Sequence, residues 1–138
     1  MAAEEAKFTM AYTRLGVSPD GSSSYFLPRR VGTKRALDLA LTNRLLSSNE
    51  AESWGLVDYV HPAATLMDAA RKLAGQLAQG PTLAYGRVKQ LMHDSMNESL
   101  ESQMERETVG IAESMRSADG REGIDAFINK RKADFKGA

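Results

Sequence analysis

Apolar residues alternate with polar or small ones at a single place, Phe8, Met10 and Tyr12, and this period of two predicts a short strand. The run Leu56-Val57-Asp58-Tyr59-Val60 predicts a second. Elsewhere apolar positions recur every three or four residues, which is the helical period. A short helix is expected from Ser22 to Pro28, and Ala36, Leu37, Ala40 and Leu41 form one stripe of a helix over 33–41. Ser47-Ser48-Asn49-Glu50 has the spacing of a capping box, opening a helix that Gly55 closes. Leu66, Ala70, Leu73 and Leu77 mark a helix over 64–79, stopped by Gly80-Pro81. Helices follow over 82–96 and 99–116, and Asp119-Gly120-Arg121-Glu122 is expected to cap the last one. Two short strands do not make an independent sheet. The pattern therefore predicts a mostly α chain with short β-strands.

Composition narrows the function by exclusion. Lys and Arg number 18, as do Asp and Glu, so the basic excess of a nucleic-acid binder is missing. The absence of cysteine excludes disulfides and thiolate metal sites and leaves the cytoplasm as the simplest compartment. No apolar run approaches the ~20 residues of a membrane span. Glu4 and Glu5 stand where a secretory signal would be basic and then apolar. His61 and His93 lack partners at ligand spacing, so no metal site is expected.

Chemistry concentrates around Asp20. Pro19-Asp20-Gly21 reads as a turn, with Pro19 presetting its backbone and Gly21 tolerating a left-handed conformation. The carboxylate then stands at a helix mouth beside Tyr25, Phe26 and Leu27, where a proton-transfer group can be tuned. The alternative is a turn aspartate that bonds its own backbone or caps the helix. Two basic clusters, Arg29-Arg30 with Lys34-Arg35 and Lys130-Arg131-Lys132 with Lys136, suit either solvated faces or a phosphate-bearing ligand.

The stretch from Gly16 through Pro19, Asp20 and Gly21 to Leu27-Pro28-Arg29-Arg30-Val31-Gly32 resembles the enoyl-CoA hydratase/isomerase (crotonase) superfamily. So do Ala36-Leu37-Asp38-Leu39-Ala40, Glu50-Ala51-Glu52-Ser53-Trp54-Gly55-Leu56-Val57 and Arg121-Glu122-Gly123-Ile124-Asp125-Ala126-Phe127. The resemblance implies the C-terminal portion of the crotonase-like ββα spiral. Residues 1–62 would be the end of its core, and 63–138 its helical association region, which builds a homotrimer. The superfamily's Gly-rich oxyanion segment has no counterpart in the chain. An acid after the proline is similar to the isomerases, so Asp20 would shuttle a proton in an enoyl-CoA thioester. Hydratases carry a glutamate where this chain has Tyr12, which makes hydration doubtful and gives Tyr12 the role of pocket wall. Tyr25 and Phe26 would line the same pocket, and Phe135 and Lys136 would meet CoA. The thioester is substrate, and no separate cofactor is implied. The loop is also similar to that of 4-chlorobenzoyl-CoA dehalogenases, in which Asp20 would be a nucleophile. A helical oligomerisation module without chemistry is the reading from another class.

Overall fold

Ser47 marks the point where strand becomes helix in the first half of the chain. Its hydroxyl accepts the N–H of Glu50, and the Glu50 carboxylate accepts the N–H of Ser47, each at 3.3 Å. This is the expected capping box. The hydrogen bond from Ser47 N–H holds the Glu50 carboxyl below the usual range, with Arg44 reinforcing it. The computed structural model describes residues 1–138, which divide into two units, Met1–Arg71 and Lys72–Ala138.

The first unit contains β1 (Ala2–Ala3), β2 (Lys7–Phe8), a 3-10 turn (Thr13–Leu15), α1 (Ser23–Val31) and α2 (Thr33–Thr42). It continues with β3 (Leu46–Ser47), α3 (Ser48–Ser53), β4 (Val60–His61) and the start of α4 (Ala63–Ala78). β1 pairs in parallel with β4, Ala2 opposite Val60; β2 pairs antiparallel with β3, Phe8 opposite Leu46. Both strands are shorter than the pattern predicts. β3 is bracketed by the left-handed Asn43 and by the cap at Ser47, so it offers β2 two residues and no more. Leu56 and Val57 are not strand residues, because both donate their N–H to the Ala51 carbonyl, at 2.8 and 3.3 Å, and close α3. Helix α1 also runs through Pro28 instead of stopping there. A proline forgoes a single helical bond, and Gly32 N–H still reaches the Pro28 carbonyl at 2.9 Å. Gly32, with φ 82° and ψ 151°, supplies the backbone conformation that joins α1 to α2.

Leu39, Leu46 and Ala51 form the buried centre, with Phe8, Met10, Leu27, Trp54, Leu56 and Val57 packed around it. The guanidinium groups of Arg35 and Arg44 each lie over the Trp54 ring, 4.9 Å from its centre. Arg44 also pairs with Asp38 at 2.8 Å and Glu50 at 3.2 Å. Cation–π contact and paired carboxylates thus fix the tryptophan at the end of α3.

The second unit holds the rest of α4, α5 (Thr82–Asp94), α6 (Leu100–Arg116), α7 (Ala118–Ile128) and a non-helical tail. Ser99 caps α6 by accepting Ser102 N–H at 3.2 Å. The cap of α7 is Ser117, which accepts Gly120 N–H at 2.8 Å, and not the acidic run after it. Asp119 is buried for another purpose: its two oxygens accept the N–H groups of Lys136 and Gly137, each at 2.7 Å. Acid at a helix start suits the dipole, but here it also ties down the tail. No helix is long and apolar enough to cross a membrane.

Candidate functional site

The turn that presents Asp20 runs one residue later than Pro19-Asp20-Gly21 suggests. Gly21 and Ser22 are both left-handed, with φ 57° and 63°, and Ser23 N–H returns to the Asp20 carbonyl at 3.1 Å. The Ser23 hydroxyl donates to the same carbonyl at 2.7 Å. Asp20 therefore serves the start of α1 with its backbone oxygen, and its carboxylate makes no cap. The carboxylate is exposed, and Oδ1 accepts the Tyr12 hydroxyl at 2.8 Å. Tyr12, half-buried, thus brings a polar group to Asp20 beyond the wall expected of it.

Tyr12 is held from below by residues distant in sequence. It opens the 3-10 turn, and its carbonyl accepts the N–H of Leu15 at 2.9 Å and of Val17 at 3.2 Å. That turn is fastened to the end of α2 by Asn43, the left-handed C-cap of that helix. Asn43 Nδ2 donates to Thr13 Oγ1 at 2.7 Å, and Asn43 Oδ1 accepts Arg14 N–H at 3.1 Å. Thr13 passes the contact on by donating to the Ala40 carbonyl at 2.6 Å, and Arg14 Nη2 donates to the Asn43 carbonyl at 3.2 Å.

Tyr25 and Phe26 pack edge to face, 5.1 Å between ring centres, and remain 37 % and 50 % exposed. Arg29 covers the Tyr25 ring at 3.6 Å and donates to its carbonyl at 2.9 Å. Leu27, by contrast, turns to the core. In the second unit, the Phe135 ring lies against Gly123 and lines an open apolar cavity of about 360 Å³ with Ile111, Met115, Ile124 and Phe127. The Lys136 ammonium bonds Asp134 at 2.7 Å, which raises its pKa.

The family model for enoyl-CoA hydratase/isomerase matches residues 1–138, the whole described chain. The chain belongs to the enoyl-CoA hydratase/isomerase family. The 1,2-epoxyphenylacetyl-CoA isomerase of Escherichia coli K12 is 40% identical over 137 residues, covering 99% of this chain and 52% of the relative. The 4-chlorobenzoyl coenzyme A dehalogenase-1 of an Arthrobacter species is 36% identical over 127 residues, covering 92% of this chain and 46% of the relative. A solved structure from Mycobacterium abscessus, assigned to enoyl-CoA hydratase/isomerase, superposes with TM-score 0.95 at 34% identity, covering 99% of this chain and 52% of that one. The chain spans about half the length of the curated relatives it matches. The mostly helical architecture with short strands agrees with the C-terminal part of the crotonase-like fold.

Within this enoyl-CoA hydratase/isomerase chain, Asn43 is the site residue that the sequence reading missed. Its signal was present, since an asparagine directly after a helical stripe suits a left-handed C-cap. What its side chain does there is not local. The groups it binds lie 29 and 30 residues away, in the loop that carries Tyr12.

Proposed function

We propose that this chain carries the acid–base part of an enzyme that shifts a double bond in an enoyl-CoA thioester, with Asp20 as proton shuttle. A base must take the proton from carbon 2 and return it at carbon 4, and one carboxylate with a spare oxygen can do both. The observation that supports this is the engagement of Asp20: the helix start uses its carbonyl, and the carboxylate is bonded at Oδ1 alone. Tyr12, Tyr25 and Phe26 line the acyl side in this reading. Phe135 and Lys136 meet the CoA of a neighbouring subunit in a homotrimer. The backbone donors for the thioester oxygen come from outside residues 1–138. The test is Asp20→Asn in the protein carrying this chain. Isomerisation of a 3-enoyl-CoA falls by ~10²–10⁴ with little change in affinity for the ester. Normal turnover would return Asp20 to a turn residue. Release of halide from 4-chlorobenzoyl-CoA, lost in Asp20→Asn, would favour the dehalogenase reading, in which Asp20 is the nucleophile.

A second reading, an association module without chemistry, is supported by the apolar face of the second unit. Ile111, Phe127 and Ile128 are 60%, 84% and 70% exposed there. Turnover that vanishes with Asp20→Asn would exclude it.

A further inference from the structure

The single left-handed asparagine at the end of α2 makes more hydrogen bonds to the loop before Asp20 than to its own helix. Its amide grips Thr13 and the Arg14 N–H, and its carbonyl accepts the Arg14 guanidinium and, at 3.3 Å, the Thr9 hydroxyl. A glycine would satisfy the backbone conformation alone, since φ 52° carries no steric penalty without a Cβ. The asparagine side chain therefore has a task beyond ending the helix. That task is to fix the 3-10 turn Thr13–Leu15, whose first carbonyl belongs to Tyr12, whose hydroxyl in turn ends on Asp20 Oδ1. The path is unbroken: α2, Asn43, the turn, Tyr12, Asp20.

We propose that Asn43 and Tyr12 are positioning residues for Asp20: Asn43 fastens the turn to α2, and the Tyr12 hydroxyl holds Oδ1 so that Oδ2 is the oxygen that takes and returns the proton. The role deepens the shuttle reading and rests on it. Two features of the arrangement carry it. The loop between β2 and α1 has no sheet partner beyond Phe8; past Met10, which packs on the core, side-chain bonds to α2 hold it. The carboxylate is exposed and its hydrogen bond is the one from the Tyr12 hydroxyl to Oδ1, so without that hydroxyl its two oxygens would exchange freely.

The experiment compares Asn43→Gly, Tyr12→Phe and Asp20→Asn in the protein carrying this chain. Asn43→Gly keeps the left-handed cap and the carbonyl that accepts Arg14 and Thr9, and removes the side-chain bonds to Thr13 and Arg14 N–H, so the fold survives; thermal unfolding checks this. Turnover of a 3-enoyl-CoA falls about 10- to 100-fold in Tyr12→Phe, the range of one hydrogen bond to a charged group, and about 10-fold in Asn43→Gly. KM stays unchanged in Asn43→Gly, whose side chain is not assigned to the ester; Tyr12→Phe keeps the ring that lines the acyl side and loses only the hydroxyl, so its loss is read in kcat. In protein carrying ¹³Cζ-tyrosine, the Tyr12 resonance moves in Asn43→Gly as it does in Asp20→Ala. Full turnover in Asn43→Gly and Tyr12→Phe beside a crippled Asp20→Asn overturns the positioning role alone. A Tyr12 resonance unmoved by Asn43→Gly overturns the anchor. Normal turnover in Asp20→Asn overturns the shuttle itself.

Discussion

Arg131 grips Glu122 with both of its terminal nitrogens, at 2.6 and 2.8 Å, and the same carboxylate accepts the N–H of Asp134 at 2.8 Å. The Arg131 hydrogen bonds, then that from Asp134, lower the Glu122 pKa from 4.5 to about 2. A carboxyl depressed on folding stabilises the native state fully above its unfolded value, and the contribution fades as pH falls through the folded value. The docking of the tail on α7 should therefore be intact above pH 4.5 and lost as the pH approaches 2. The protection of the Asp134 amide, taken relative to its intrinsic exchange rate at each pH, should fall over that window in the wild type. In Glu122→Gln the protection should already be low at neutral pH. Equal protection in the two proteins would assign the tail's order to Asp119 and Phe135 instead.

Gly120 has no room for a methyl group. A Cβ there would run into the carbonyl oxygen of Ser114 and stand 3.0 Å from Met115 Cα, both of them backbone atoms that cannot swing aside. Gly120→Ala should destabilise the protein by about 1–3 kcal/mol despite alanine's better helix propensity. Urea unfolding measures it, and a stability gain would mean that α6 and α7 can part at little cost.

Leu39 is 2% exposed at the centre of a small core and touches both strand and helix residues. Leu39→Ala should cost about 2–5 kcal/mol, from lost burial and the cavity left behind. Leu41→Ala, two positions on but 67% exposed, should change stability little in the same denaturation series.

The 138 residues alone should turn over 3-enoyl-CoA and 2-enoyl-CoA thioesters poorly or not at all. Each missing backbone donor to a thioester oxygen typically costs ~10²–10³ in rate. Activity that follows the purified protein through every column would contradict this.

Light scattering at micromolar concentration should give a mass three times that of one chain. The second unit leaves Ile111, Met115, Phe127 and Ile128 more than half exposed, and apolar patches of that kind mark interfaces. A monomeric mass would end the trimer proposal.

Local codes were legible in the sequence, and contacts at a distance were not. The Ser47–Glu50 box could be read because both of its bonds close within three residues. The acid run after Ser117 was misread as a cap, because the amides that Asp119 and Glu122 bind lie 12 to 18 residues later. Pro28 looked like a stop because its missing N–H is visible and the continuing bond at Gly32 is not. Asp20 stood out through its turn residues. Its tie to Tyr12 depends on a 3-10 turn that no periodicity announces, and that turn depends on Asn43.

Trp54 is the one tryptophan of the chain, and its contacts with Arg35 and Arg44 lie wholly within the first unit. Fluorescence excited at the indole band therefore watches that unit alone, while the circular dichroism of the helices is dominated by elements of both. If the two signals melt together, Met1–Arg71 and Lys72–Ala138 unfold as one cooperative body; if the indole changes first or last, they do not. A single stacked ring makes the chain its own reporter of how far its halves depend on each other.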